Sequence, residues 1–308
     1  MLQTKTSKVL HAEEYQQHIP LFLNKHTCGF IHSTFKNGFN ISVGGKLFFI
    51  GSTRNGELPF GIHIDSLSIQ KMLAYLEVKT AVKWDIKEQE LHFLAIPYKV
   101  SLQKARSYTT HLRKRTGSIQ NLSNQLVVFL HPLLEKNIST GLGCTIEDFM
   151  YSYVENNRSD KQIAHYIYRL LDALYLKDRR EIERTLRFFL GRGQGLTPSG
   201  DDLLVGVLAI NSVTSAFSSS FLHQLQDLLV YENLTTDVGK EYLFYALKGE
   251  FSSSVINVIE ALLSGDEKQI NNNVDQLLAM GHSSGADTLF GILIGLLALR
   301  RKLECQKK

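Results

Sequence analysis

Cysteine is nearly absent from this sequence: Cys28, Cys144 and Cys305 are the three in 308 residues. They are odd in number and far apart, so they give no disulfide scaffold. Without a CxxC pair they point to neither zinc nor a redox couple. A reducing cytoplasm is the simpler setting. Long apolar runs are missing too. The greasiest stretch, residues 289–299, is eleven residues long, too short to cross a bilayer and suited to a buried helix. Lys5 and Lys8 are followed by Glu13 and Glu14 with no apolar run between them, which is not the pattern of a signal peptide. Charged residues amount to 21% and the 22 glycines follow no strict period. These values exclude a highly charged disordered chain and a collagen-like one. The 44% of hydrophobic residues can fill a sizeable core, in one large domain or two of ordinary size.

Acidic residues are lacking from 91–134, where Lys99, Lys104, Arg106, Arg113, Lys114 and Arg115 all fall. That stretch carries +6 against +4 for the whole chain, which leaves −2 elsewhere. Unless it is an ordinary solvated face, such a field attracts a phosphate, a dicarboxylate or an acidic partner protein. Nucleic acid is not expected as a partner, because zinc-finger spacing, an RNP-like strand and interleaved aromatic platforms are all missing.

The chain has two textures. Residues 29–34, 39–43, 46–50 and 91–100 are rich in Phe, Ile, Val and Tyr and read as strands of an antiparallel meander, with turns at Asn37-Gly38 and Gly44-Gly45. A short helix over 66–75 interrupts them. From about residue 120 the pattern becomes helical: segments follow at 181–190, 203–210, 241–247, 253–263 and 274–280, ending in the apolar helix after Gly285. Ser159, with Gln162 three residues later, reads as a capping box for a helix through Ile163, Ile167, Leu170 and Leu171. The fold class expected is α+β. A small β-rich domain, 1–120, packs on a mainly helical one, 121–308, that carries two Gly/Asp helix starts.

The most specific signal is a local pattern written twice. Ser199-Gly200-Asp201-Asp202, followed by Gly206, is echoed 85 residues later by Ser284-Gly285-Ala286-Asp287, followed by Gly291. Both copies run on into apolar helices. Thr197 can cap the first helix with Pro198 at its first position, and Ser283 or Ser284 can cap the second. Asp202 and Asp287 then fall in or near the first turn, where unpaired N–H groups and the dipole favour a carboxylate. Gly206 and Gly291 lie one turn further on the same face. A glycine there costs up to about 1 kcal/mol of helix propensity, so close backbone packing or a ligand must repay it.

Together the copies suggest two helices whose glycines meet and whose aspartates converge. Such carboxylates can accept protons from an amide, act as a base, or hold a divalent cation such as Mg²⁺. The run Gly191-Arg192-Gly193-Gln194-Gly195 can set successive N–H groups around an anion. It is not a nucleotide fingerprint, since GxGxxG and Walker spacings are both missing. The bland alternative is a flexible connector and two capped helices, but capping alone needs neither Asp201 beside Asp202 nor a glycine one turn on.

Candidate catalytic residues are therefore Asp202, Asp287 and His282, the last because its charge changes near neutral pH. Candidate substrate-binding residues are Arg192, Gly193, Gly195, Thr197, Ser199, Gly200, Asp201, Ser283, Ser284 and Gly285. Thr235 and Thr236, ahead of another helix, join them as ligand-facing hydroxyls or simple caps. No metal ligand set is assigned. Cys144 has no identifiable base and reads as a structural thiol. His63 and His92 fill ordinary strand positions, and Ser199 lacks a nucleophile elbow and a histidine partner.

The stretches 193–202 and 281–291, with Leu234-Thr235-Thr236 and 242–252 between them, resemble the bacterial DUF2877 family. One branch of that family is the AllH-type subunit of an oxamate carbamoyltransferase of allantoin degradation. The likeness is strong over 188–299 and diffuse before it. It implies exchange of oxalurate plus phosphate with oxamate plus carbamoyl phosphate, alongside other enzyme subunits. The family's signature positions correspond to Gly193, Gly195, Thr197, Pro198, Ser199, Gly200, Asp201 and Asp202, then Gly281, His282, Ser283, Ser284, Gly285, Asp287 and Gly291. The function expected is thus a subunit acting on small anionic amides. The alternative is a non-catalytic anion-binding or assembly subunit. Neither a membrane nor nucleic acid is an expected partner.

Overall fold

Short runs of β-branched and aromatic residues form the strands of the first hundred positions: β1 (Lys8–His11), β2 (Glu14–Gln16), β3 (Cys28–Phe35), β4 (Gly38–Val43), β5 (Lys46–Gly51), β6 (Gly61–His63), β7 (Ala81–Asp85), β8 (Glu90–Phe93), β9 (Tyr98–Ser101) and β10 (Arg106–Tyr108). A computed structural model gives this fold and describes residues 7–155 and 162–306. The chain divides into two compact units, Met1–Thr110 and His111–Lys308.

In the first unit one curled, half-barrel sheet takes the order β1-β9-β8-β7-β3-β4-β5-β6-β2-β10. Gly44 and Gly45, at φ 56° and 77°, make the two-residue turn between β4 and β5, where both positions need the left-handed region. The β3–β4–β5 meander is antiparallel. The expected meander does not extend throughout: β5 pairs with β6, β1 with β9 and β2 with β10 in parallel. The single strand expected over 91–100 is also corrected. Pro97 has no N–H for a ladder, so the chain turns there, and β8 and β9 pair antiparallel with Leu91 opposite Val100. Two helices, α1 (Ile19–Leu23) and α2 (Ser66–Leu73), belong to this unit, the second capped by Asp65 accepting from Ser68 N–H at 2.9 Å. Ile31, Phe39, Ile41, Ile50, Ile62 and Leu91 are fully buried in its core.

The second unit is helical: α3 (Ser118–Asn124), α4 (Leu126–Glu135), α5 (Ile146–Val154), α6 (Gln162–Ala173), α7 (Arg179–Phe189), α8 (Ser199–Thr214), α9 (Ser219–Tyr231), α10 (Asp237–Leu247), α11 (Ser253–Ser264), α12 (Glu267–Leu278) and α13 (Ser284–Gln306). The Ser159 cap expected for α6 lies outside the described residues. Helices α8 and α13 are buried all round over residues 199–210 and 285–299, so they form the central pair that the others wrap. None of the described helices is long and apolar enough to cross a membrane.

Folding also answers the basic run. Lys99 reaches Glu90 at 3.4 Å, Arg106 pairs with Glu14 and Glu57, and Arg115 meets Glu260 at 2.7 Å. Lys104, Arg113 and Lys114 are exposed.

Candidate functional site

The two written copies become two helix starts that cross. At Gly206 an added methyl would overlap the Thr288 carbonyl oxygen and lie 2.7 Å from Ile292 N. At Gly291 it would overlap the Leu203 carbonyl oxygen and lie 3.0 Å from Gly206 Cα. Leu203 and Thr288 are themselves equivalent positions in the two copies, so the contact is reciprocal, as around a local two-fold axis. The other glycine of each copy behaves alike. A methyl on Gly200 would sit 2.8 Å from the Phe189 carbonyl carbon at the end of α7, and one on Gly285 2.7 Å from that of Leu277 near the end of α12. Each motif therefore packs its first glycine on the preceding helix and its second on the other copy.

This close approach brings the helix N-termini together. Thr197 Oγ1 and Ser284 Oγ are 2.9 Å apart. Thr197 was expected to cap α8; instead Pro198 takes the cap position and Ser199 begins the helix, which leaves the threonine hydroxyl to cross to α13. The serines cross likewise: Ser284 of α13 faces Asp202 of α8, and Ser199 of α8 faces Asp287 of α13.

Asp202 and Asp287, 8% and 0% exposed, each present a buried Oδ2 with no hydrogen-bond partner. Asp287 Oδ1 accepts the Gly141 N–H at 2.9 Å. Burial pushes the Asp202 carboxyl well above the usual carboxylate range; the hydroxyls of Ser284 and Thr197 oppose this, while the charges of Asp287 and Asp201 add to it. Asp287 is raised by burial too, against the hydroxyls of Ser199 and Ser283 and the Gly141 N–H. Asp201 points elsewhere. It accepts from Gly191 N–H at 2.9 Å and from the Thr235 hydroxyl, and burial pushes it up to about 6. It ties the glycine run to the start of α10.

The glycine run forms an exposed rim beside the start of α8, half-buried at Gly191. Gly191, Gly193 and Gly195 have φ of 72°, 114° and 89°, which favour glycine over any side chain. A methyl on Gly193 would sit 2.6 Å from Ser199 N. Arg192 stacks its guanidinium 3.7 Å over Phe188 and donates Nε–H to the Phe188 carbonyl at 2.8 Å. Among the described residues its other guanidinium donors make no hydrogen bond within the protein. Thr236 caps α10 by accepting from Gly239 N–H at 2.9 Å and donates to the Leu196 carbonyl at 2.5 Å. His282 lies exposed in the turn before α13, with no hydrogen bond to either aspartate among the described residues.

Two neighbours carried no local signal. The loop after Ser139 closes on itself through a bridge to Thr145 and puts Gly141 against the cluster. A methyl on Gly141 would overlap Ser199 Oγ and lie 2.7 Å from Ser283 Oγ and 3.0 Å from Asp287 Oδ2. The Gly-x-Gly at 141–143 reads in sequence as a loosened chain, with nothing to join it to a motif 146 residues away. The other neighbour is Tyr242 of α10, whose phenol is pushed up by burial and by the nearby Asp202 carboxylate. Cys144 offers Sγ to Thr140 at 3.5 Å.

Among the described residues no three His, Cys, Asp or Glu side chains gather as a metal cage. Two carboxylate oxygens with flanking hydroxyls can hold only a hard cation that keeps most of its own water, such as Mg²⁺. What the cluster offers directly is two buried, unpartnered acceptor oxygens at the two helix starts.

Fold and site define a two-unit α+β protein whose helical unit is built on a duplicated Ser-Gly-x-Asp helix start. Residues 9–107 match the family model described as the AllH family N-terminal domain, and 189–296 match that described as oxamate carbamoyltransferase subunit AllH. The chain belongs to the AllH family, with the two matches spanning about two thirds of it. Gly141 lies outside both stretches. No solved structure matches the chain significantly.

Proposed function

We propose that this chain supplies the site for the carbamoyl group in a cytoplasmic oxamate carbamoyltransferase assembled with other subunits. The observation that carries this reading is the pair of unpartnered buried oxygens, Asp202 Oδ2 and Asp287 Oδ2, at helix starts that meet through Thr197 and Ser284. Oxalurate, oxamate and carbamoyl phosphate each join an anionic group to an amide. The N–H groups of 193–195 and the Arg192 guanidinium take the phosphate or carboxylate. Ser199, Ser283 and the two aspartates take the amide end.

In phosphorolysis a phosphate oxygen attacks the terminal carbonyl carbon of oxalurate, and the bond from that carbon to the oxamate nitrogen breaks. The nitrogen gains a proton and phosphate loses one. Asp202, whose burial keeps a proton on it, donates to the departing nitrogen and then recovers a proton from phosphate. His282 serves proton exchange with solvent from the rim.

Calorimetric titration of the full chain with carbamoyl phosphate and with oxamate tests the site. Binding should fall at least about tenfold in Asp287→Asn and persist in Cys144→Ala, while Asp202→Asn, whose amide keeps a donor but has no proton to transfer, should lose turnover. Turnover is read after adding the partner subunits. Normal binding and turnover in a folded chain lacking both carboxylates would refute the proposal.

A further inference from the structure

Resting on the reading of Arg192 as the group that meets the anion, we propose that Phe188 and Tyr166 are positioning residues of the site: their stacked rings hold the Arg192 guanidinium in one orientation before a ligand arrives, leaving the end of its fork for a carboxylate or phosphate.

Arg192 is anchored through backbone and side chain alike. Its N–H donates to the Phe189 carbonyl at 2.9 Å, and its carbonyl accepts the Gly200 N–H at 2.8 Å, which ties it to the end of α7 and the start of α8. Its side chain turns back on Phe188, one helical turn earlier. The Nε–H donates to the Phe188 carbonyl at 2.8 Å, and the guanidinium carbon lies 3.7 Å from the centre of the Phe188 ring. Tyr166 of α6 stacks on the same ring, 3.6 Å between centroids and 4° between planes, so it covers the opposite face. Arg169 ends the ladder, 5.4 Å from the Tyr166 centroid.

A stack of this kind uses the face of the guanidinium and leaves its in-plane N–H groups for hydrogen bonds. With Nε–H committed to Phe188, the two Nη groups remain, and together they meet both oxygens of a carboxylate or two of a phosphate. The neighbouring arginines point to a ligand as their partner. Arg169 and Arg184 each meet Glu181, and Arg187 meets Glu232, whereas Arg192 meets no carboxylate among the described residues. An unrestrained arginine gives up much rotamer freedom when it closes on an anion. One already held against a ring has little left to lose, so more of the contact appears as affinity.

Calorimetric titration of the full-length chain with oxamate and with inorganic phosphate tests this through a double-mutant cycle. Phe188→Leu keeps an apolar side chain in the core but removes the ring, and should weaken both ligands about fivefold. In an Arg192→Ala background the same substitution should change neither, because a ring that acts through Arg192 then has nothing to hold. Tyr166→Leu should weaken both by a smaller factor, and Tyr166→Phe, which restores the ring, should recover the loss. Arg192→Lys, at an exposed position, keeps the charge but lacks the planar fork. It should bind at least about fivefold more weakly, and it tests the same point should Phe188→Leu fail to fold. Equal losses from Phe188→Leu with and without Arg192, or full affinity in Phe188→Leu or Arg192→Lys, overturn the positioning role while leaving the anion site in place. Full affinity in Arg192→Ala overturns the reading of Arg192 as the anion's partner and this inference with it.

Discussion

Alanine at Gly291 would bring a methyl 2.8 Å from the Leu203 carbonyl carbon and 3.0 Å from Gly206 Cα, and would overlap the Leu203 oxygen. All of these atoms are backbone, so no side chain can swing aside. Restoring van der Waals contact requires α8 and α13 to part by roughly 1 Å. Overpacking of that kind costs about 1–3 kcal/mol, while alanine returns about 1 kcal/mol of helix propensity. A net loss of up to about 2 kcal/mol remains, equivalent to a urea midpoint lower by up to about 1 M at an m-value near 2 kcal/mol/M. Far-UV circular dichroism reports the helices, and the single tryptophan, Trp84 on β7, reports the sheet unit by fluorescence. The dichroism transition should move down in Gly291→Ala and in the equivalent Gly206→Ala. Because the two sites share one contact, the double variant should depart from additivity. Oxamate binding should weaken as well, although neither glycine touches ligand, because parting the helices separates Asp202 from Asp287. Propensity alone predicts a gain of about 1 kcal/mol, so a midpoint raised by that amount would refute close packing as the reason for these glycines.

Gly141→Ala should weaken oxamate binding at least about tenfold, since its methyl enters the space of Ser199 Oγ beside Asp287; titration at full affinity would exclude this loop from the site. The folded state holds protons on Asp201, at about 6, and on Asp202 more tightly than the unfolded chain does, whose carboxylates titrate near 3.8. Stability from these groups is therefore greatest at low pH and falls as pH rises through the raised values. Asp202→Asn, which removes one such charge, should gain on the wild type in urea midpoint between about pH 5 and pH 8, and a constant difference across that range would contradict the assignment. Phe290→Ala removes a fully buried ring that meets Phe149 edge-on at 5.3 Å; a loss of about 3–5 kcal/mol is expected by denaturant titration. Thr236→Ala should lose about 1 kcal/mol with the cap of α10.

What the sequence determines by itself is local. Strand and helix textures follow from side-chain period and turn chemistry, which act within a few residues, and they suffice for the α+β class. The doubled Ser-Gly-x-Asp-x₃-Gly is legible for the same reason. Each copy carries its own helix start, and a glycine one turn on has no local benefit, so it announces a partner backbone. Pro97 acts at the same short range, dividing an apolar run into β8 and β9.

Tertiary structure alone decides what meets what. The parallel pairing of β1 with β9 and of β2 with β10 joins segments about ninety residues apart. Glu14, Glu57 and Glu260 neutralise basic residues that look unopposed along the chain. Asp201 and Asp202 are adjacent and chemically identical, yet the first is enclosed by Gly191 and Thr235 while an oxygen of the second is left without a partner. That difference arises from one helical step of about 100°, which aims the two carboxylates at different neighbours. Gly141 joins the site through a hydrogen bond that spans 146 positions. Periodicity fixes the face on which a residue lies, but the solvation and partners of its polar atoms depend on distant segments brought alongside by burial of the core.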